Sequence, residues 1–453
     1  MPLKKNCLPK KPLEKKPEEK KELVKRTRKT IELLRGFRDI LPEEQKYWDF
    51  VEEKVRHFAE AYSFGRIELP ILERQDLFIR TVGKATDVVE KEMYTFEDPG
   101  EEKVALRPEA TASVARAYIN HGMLDRPQPV KFFYMGPMFR HDRPQAGRYR
   151  QFYQFGFESV GQEDAIVDAQ LIVIAYELFK ELGINLTVQI NSIGTPESRK
   201  EYMVELTRYF RSYRGKLSED DKQRLQKNPL RLLDSKEEYM PELLAEAPQI
   251  LDWIDEKSKQ HFMQVLEYLD GADVPYLLNQ HLVRGLDYYN RTVFEFYVAE
   301  EEGGRAQSAL GGGGRYDGLV GLLGGREETP GCGFAVGMDR VVNLLRERGH
   351  QGKEIKRDVF FAQLGEASRK QGLTLFEAFR KEGILIGEAF GKSALKAQLE
   401  AANKLGVAYT LILGQKEVLD GTIIIRDMEA GSQEIVDVKK VVQIMKKKLH
   451  HTP

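Results

Sequence analysis

At 453 residues, with 41% apolar and 31% charged side chains, the chain has the makeup of a folded protein of two or three domains. It contains no apolar run of the about 18 residues that a membrane span needs and no apolar leader core, and its two distant cysteines, Cys7 and Cys332, exclude a disulfide framework and a zinc site built on cysteine pairs; the expected compartment is the cytoplasm. The net charge of −1 is unevenly spread: residues 1–30 hold ten lysines and two arginines against four glutamates, a net of +8, which leaves −9 on the other 423, so an anionic partner has to be met by local basic patches.

Residues 1–34 predict a lysine-rich, disordered extension, because lysine pairs starting at Lys4, Lys10, Lys15 and Lys20 alternate with prolines and offer nothing to bury. Such an arm is either a non-specific grip on a polyanion or a solubilising tail. Order begins near Arg35. Pro42 suits a first helical turn, and Tyr47, Val51, Val55, Phe58 and Tyr62 then make one apolar stripe. "GRIELPILE" (65–73) predicts a strand stopped by Pro70, and "KVALRPEAT" (103–111) a strand running into a turn. "PVKFFYMGPMFR" (129–140) and "QFYQFGFESV" (151–160) predict an antiparallel hairpin whose long loop is polar and basic. Dense charge and helical period over about 195–277 predict a helical insertion between strands of a larger sheet. Strands follow in "TVFEFYV" (292–298) and "GCGFAVG" (331–337), the second entering a helix. After a charged linker at 349–357, residues 358–453 alternate strands and helices, the rhythm of a separate small α/β domain.

Along "QFYQFGFE", side-chain alternation puts Phe155 and Phe157 on one face and Gln154, Gly156 and Glu158 on the other. The second face is either an ordinary solvated surface or a floor for a small polar ligand. Arg140, Arg143, Arg148 and Arg150 crowd the adjoining loop, and "GMDR" places Arg340 at a helix start; several guanidinium forks in one place suit phosphate oxygens. The glycine run 311–314 lacks the Walker and dinucleotide spacings, and suits close approach of backbone to a ligand. The eight histidines show no metal-ligand spacing; His57 and His261 fit surface or packing positions, and His141 lies in the arginine loop.

These segments together resemble the class II aminoacyl-tRNA synthetases, and within them the histidyl-tRNA synthetases of bacterial type. "GRIELP" resembles the first class II motif, "GPMFRHDRPQAGRYRQFYQFGFE" the second and "GFAVGMDRVVNLL" the third, while "LVRGLDYYNRTVFEF" (282–296) and "GGGGRYDGL" (311–319) resemble the two histidine-specific motifs. The resemblance covers roughly 35–453 and not the arm. It implies an α+β catalytic domain on an antiparallel sheet (35–348) carrying the helical insertion, then an α/β anticodon-binding domain (358–453). It implies histidine activation by ATP with accompanying Mg2+, transfer to histidine tRNA held at its acceptor end and anticodon, and a homodimer. It further implies that Arg140 holds the α-phosphate, Arg340 the γ-phosphate and Arg284 the reacting carboxylate and α-phosphate. Arg148 would lie in the loop over ATP. Glu109, Thr111 and Gln154 would take the α-amino group; Glu158 and Tyr289 would bracket the imidazole, with Tyr288 and Tyr316 beside them. No metal ligand among the side chains is implied. Ala110 departs from the glycine frequent in "LRPEAT".

Arg224, Lys227 and Arg231 in the insertion are candidates for RNA phosphate contacts or a solvated helix face. Two other functions fit the same scaffold: a non-catalytic histidine-sensing subunit, as of an ATP phosphoribosyltransferase, or a nucleic-acid-binding protein without chemistry. The retention of Arg140, Arg284, Arg340 and a C-terminal α/β domain favours the enzyme.

Overall fold

The computed structural model describes residues 30–84, 86–142, 147–299, 309–350, 352 and 356–450; most of the lysine-rich arm and Arg143 lie outside them. Strand β1 (Gly65–Arg66) is followed by β2 (Leu72–Arg74), β3 (Thr95–Glu97) and β4 (Lys103–Leu106), which form a separate antiparallel sheet in the order 2–4–3. Pro70 therefore sits between two short strands and does not end a longer one. Arg107 covers that break, donating to the carbonyls of Leu69 (2.7 Å) and Pro137 (2.9 Å).

The main sheet adds β5 (Val130–Phe139), β6 (Gln151–Val160), β7 (Leu186–Ser192), β8 (Tyr276–Leu278), β9 (Asn290–Val298), β10 (Gly311–Arg315) and β11 (Gly331–Gly337) in the order 1–5–6–11–10–9–7–8. The pairing is antiparallel except at the edges, where β1–β5 and β7–β8 are parallel. β5 and β6 form the expected hairpin, in register from Val130–Val160 to Phe139–Gln151.

Alternation sends the two faces into two cores. Phe133, Phe155, Phe157, Phe294, Phe296 and Phe334 pack on one side against the helices Pro42–Ala61, Ala165–Glu181, Glu256–Gly271 and Met338–Glu347. Phe132, Tyr134, Val160 and Val293 face the other side, where Tyr288, Tyr289 and Tyr316 gather. The face of β6 that bears Glu158 is thus covered, and not the solvated surface of an open sheet. In the helix 42–61 the buried stripe is Trp48, Val51, Val55, Phe58 and Ala59, while Tyr47 and Tyr62 stay at its margin.

The stretch expected as one insertion at about 195–277 is divided. The helices Pro196–Ser212 and Glu219–Lys227 and the short turns through Asp252 close around Tyr202, Leu206, Phe210 and Leu232. From Glu256 the chain rejoins the main body: Phe262, Val265 and Leu269 enter the first core, and β8 extends the sheet. High surface charge runs through both parts, so composition alone does not separate them.

The C-terminal unit is a five-stranded sheet, β12 (Val359–Gln363), β13 (Ile386–Glu388), β14 (Tyr409–Leu413), β15 (Thr422–Asp427) and β16 (Gln433–Asp437), in the order 13–12–14–15–16. The first three are parallel through the helices Glu366–Lys381 and Leu395–Leu405, and β15 and β16 return antiparallel. No described helix is long and apolar enough to cross a membrane.

A buried ion pair ties the main sheet to its helices. Arg315, at the end of β10, is fully buried; it pairs with Asp168 of the helix 165–181 and with Asp317 at 3.1 Å. Burial alone would raise the Asp168 carboxyl, and the Arg315 guanidinium and His261 together more than reverse that. Removing one member of such a pair strands the other charge. Asp168→Asn is expected to cost about 3 kcal/mol of stability, measured by chemical denaturation.

Candidate active site

On the second face of the main sheet lies a cavity of about 410 Å³. Six parts of the chain bring predicted residues to its walls, which Val88, Glu92, Arg231 and the stretch 309–312 help to complete. Glu109 and Thr111 come from the start of the helix Thr111–Asn120, Arg140 from the end of β5, and Arg148 from the hairpin loop. Gln154 comes from β6, Arg284, Tyr288 and Tyr289 from the approach to β9, and Arg340 from the helix after β11. These nine predicted residues, distant in sequence, share one space.

Each is aimed by a local contact. Glu109 caps its helix, its two carboxylate oxygens accepting from the amides of Thr111 (2.7 Å) and Ala112 (3.0 Å), where the helix dipole favours an anion. Burial nonetheless raises this carboxyl above its ordinary value. Arg140 donates Nε to the Pro108 carbonyl at 2.9 Å and lies against the Phe152 ring. Arg148 pairs with Asp142 at 3.2 Å. Arg340 donates to the Ala309 carbonyl. Its pKa is lowered by burial and then by the neighbouring charges of Arg148 and Arg140. That repulsion marks a place where a polyanion would relieve crowded guanidinium groups.

Arg284 is the most firmly held. Its Nη1 pairs with Glu295 on β9, and its guanidinium lies 5.7 Å from the centre of the Tyr289 ring. Tyr297 donates to the other Glu295 oxygen at 2.5 Å. Burial opposes the charge on Arg284, but Glu295, followed by Tyr289 and Tyr288, together outweigh that and keep the group cationic. Neither Glu295 nor Tyr297 was picked out in the sequence. Both sit at alternate positions of a predicted strand, where a same-face acid and phenol beside an arginine motif are the available signal.

The glycine run is strand β10, set between β9 and β11; Gly311 and Gly312 line the cavity, and the missing side chains also make room for protein, since a Cβ at Gly312 would lie 2.8 Å from Nη1 of Arg284. Gly156 behaves alike, since a Cβ there would lie 2.4 Å from the Tyr134 hydroxyl, so the expected open floor is occupied by a tyrosine.

Two predicted residues do not reach the cavity wall. Glu158 and Tyr316 are 1% and 2% exposed and lie one layer behind it. Glu158 accepts from the Thr111 hydroxyl at 2.7 Å and the Tyr316 hydroxyl at 2.6 Å. Burial pushes its carboxyl up to about 8, although the two hydroxyl donors pull it back. Tyr288, 4.7 Å from Tyr289 and 5.9 Å from Tyr316 between ring centres, completes an aromatic corner around this acid. Gln154 Oε1 is buried with no hydrogen-bond partner among the described residues.

The arrangement joins a cationic half, suited to phosphates, to an acid-lined aromatic half. The sequence profile described as histidyl-tRNA synthetase matches residues 36–197 and 204–341, and one described as an anticodon binding domain matches 358–448. The chain belongs to the histidyl-tRNA synthetase family. A histidine–tRNA ligase of Dehalococcoides mccartyi is 44% identical over 417 residues, covering 92% of this chain and 99% of that one. One of Pelotomaculum thermopropionicum is 43% identical, covering 92% and 97%. The crystal structure of apo Staphylococcus aureus histidyl-tRNA synthetase superposes with a TM-score of 0.76 at 35% identity, over 92% of this chain and 100% of that one. An ATP phosphoribosyltransferase regulatory subunit/histidyl-tRNA synthetase from Bacillus halodurans shares the fold at 22% identity and a TM-score of 0.59, over 83% of this chain and 96% of that one.

Within this synthetase fold the buried acid makes stability depend on pH. Glu158 holds a proton up to about 8 in the folded state and releases it near 4.5 when unfolded. The folded state therefore binds more protons between those values, and the associated stability, full below 4.5, is lost as pH rises through 8. Between pH 5 and pH 8 the melting temperature of the parent is expected to drop by about 5 °C more than that of Glu158→Gln, read from thermal melts in matched buffers.

Proposed function

We propose that this protein acts as a histidine–tRNA ligase: it joins L-histidine to ATP as histidyl-adenylate, releasing pyrophosphate, and then transfers histidine to the 3′ end of histidine tRNA. The observation that carries this is Arg284, anchored by Glu295 in the one cavity where Arg140, Arg148 and Arg340 meet Glu109, Thr111 and Gln154.

In the first step an oxygen of the histidine carboxylate attacks the α-phosphorus. The bond from that phosphorus to the bridging oxygen breaks, and pyrophosphate leaves with the electron pair. The nucleophile is already an anion and needs no general base. The barrier is the approach of two anions and the charge that grows on phosphorus, so catalysis rests on position and electrostatics. Arg284, a cation on the cavity wall, screens that approach. Arg140 takes the α-phosphate, Arg340 the γ-phosphate, and Arg148 closes over ATP from the hairpin loop. Mg2+ accompanying ATP as part of the substrate would offset phosphate charge beside these arginines. In the second step a hydroxyl of the terminal tRNA ribose attacks the acyl carbon and AMP departs.

Histidine is sorted at the other end. Glu109, Thr111 and Gln154 receive the α-amino group, which supplies the donor that Gln154 Oε1 lacks. Tyr289 and Glu158 bracket the imidazole, with Tyr288 in the wall and Tyr316 behind it holding Glu158. Glu158 is reached past the Thr111 hydroxyl, so Thr111 turns from the acid to the α-amino group as the ring enters. An apolar side chain of similar size would leave that acid without the ring N–H, which disfavours it by orders of magnitude and makes an editing domain unnecessary.

We assign residues 35–348 to the catalytic domain, 349–357 to a linker and 358–453 to anticodon binding. A homodimer in the cytoplasm suits the exposed Ile71, Leu72 and Phe96 on the small sheet beside Pro70. The arm at 1–34 adds a salt-dependent grip on tRNA.

ATP–pyrophosphate exchange tested with all twenty amino acids is expected to respond to histidine alone; no exchange with histidine would end the proposal. Arg284→Ala is expected to slow single-turnover adenylate formation by about a hundredfold or more, while ATP affinity changes by less than about threefold. Deleting residues 1–30 is expected to leave adenylate formation intact, and to weaken tRNA binding at low salt with a shallower salt dependence.

A further inference from the structure

The loop that presents Arg284 is pinned at both ends. Asn191 Nδ2 donates to the Leu282 carbonyl at 3.0 Å, and the Asp287 amide donates to the Val82 carbonyl at 3.1 Å. Between those pins, the backbone of residues 283–286 makes one hydrogen bond among the described residues. Arg231 Nη2 donates to the Gly285 carbonyl at 2.7 Å, one residue from Arg284. Arg231 comes from the helical segment, on the short turn Pro229–Leu232.

The surroundings of Arg231 keep it in place. Leu232 and Leu233 on its C-terminal side are buried in the second core. Asn228 caps the turn by accepting from the Leu230 amide at 3.2 Å. Its other neighbour is Asp287, 3.9 Å away. The same segment also grips the chain next to the wall residue Val88, where Lys227 pairs with Glu90 at 2.8 Å. The sequence admitted Arg224, Lys227 and Arg231 alike as RNA contacts. The structure separates them, because the side chain of Arg231 is 17% exposed, against 40% for Arg224 and 54% for Lys227.

We propose that Arg231 is a positioning residue for adenylate formation: through the Gly285 carbonyl it couples the seat of the helical segment to the placement of Arg284. Glu295 holds the guanidinium end of Arg284 and Arg231 holds the backbone of the next residue, Gly285, so the cation is braced from two elements that are not adjacent in the chain. Loss of the brace frees four residues of backbone while the ATP and histidine contacts of the other wall residues persist. The consequence falls on the chemical step, where a displacement of about 1 Å costs about a hundredfold, and not on substrate binding. Any movement of the helical segment against the body, including one driven by RNA, then reaches Arg284 by the same bond.

This rests on the ligase function proposed above, and the test keeps the two apart. Histidine-dependent pyrophosphate exchange by the unsubstituted protein comes first; its absence removes both proposals. With exchange present, Arg231→Ala is compared without tRNA. The expected result is a kcat lower by about tenfold to a hundredfold, KM values for histidine and ATP within about threefold, and partial recovery in Arg231→Lys, which keeps a donor for the carbonyl. Should Arg231→Ala fail to fold, Arg231→Gln carries the same comparison, since it keeps most of the stem. Affinity for tRNA, measured across salt concentrations, separates the alternative. An unchanged tRNA-free rate with weaker, less salt-dependent tRNA binding would make Arg231 an RNA contact and overturn the proposal, as would a variant unchanged in both respects.

Discussion

A guanidinium drawn into a protein wall stays useful only where an anion is fixed beside it, and Glu295 is that anion for Arg284. The pair dictates much around it. Glu295 must sit on a rigid strand, and β9 lies between β7 and β10 in the main sheet. The strand next to it must leave room for the guanidinium, so Gly312 carries no side chain there. The phenol of Tyr297 takes the second Glu295 oxygen, so the carboxylate is aimed by its own strand.

The sheet divides the work between its faces. On one side phenylalanines and the helix 165–181 form a dry core, with Arg315 and Asp168 locked inside it. On the other, tyrosines replace phenylalanines, and their hydroxyls carry a chain of contacts from the cavity inward: Tyr288 to Glu109 at 3.4 Å and Tyr316 to Glu158 at 2.6 Å. Aromatic rings with polar tips let this second face be apolar enough to pack and polar enough to bind. Because a β-strand alternates, one ten-residue segment such as β6 supplies both cores.

How far this was legible in the sequence depends on the kind of signal. The hairpin β5–β6 declared itself by alternation and a polar loop, and the terminal α/β unit by its rhythm. The helix 165–181 gave only a weak periodic stripe because sheet and helices bury most of it, and its few polar residues do not gather on one face to mark the period. Strand β10 is four glycines and an arginine, a composition that argues for a loop, and only its neighbours on both sides make it a strand. The return to the main body at Glu256 was invisible because its exposed face is as charged as the segment before it. For the cavity, the family resemblance named nine wall residues but not depth: Glu158, far along β6, and Tyr316, just past β10, sit behind the wall, a distance that alternation does not report. Arg231 shows the converse limit, since an arginine in a charged helical stretch looks like surface until the Gly285 carbonyl is found above it.

These features share a physical logic. A reaction whose nucleophile arrives as an anion asks the protein for fixed charge and not for proton transfer, so the side chains that matter most have no proton to give at neutral pH. The demand on the fold is then immobility: the benefit of a fixed cation falls off with distance, and an arginine on a loop is only as steady as the loop. That is why the contacts around Arg284 come from a strand, a helical segment and a glycine-lined neighbour, each unremarkable alone. Glu158 is the complement of this design. Its burial holds a proton on it near neutrality, and under the function proposed here selection rests on pairing this acid, since a guest without a polar ring leaves it without its partner.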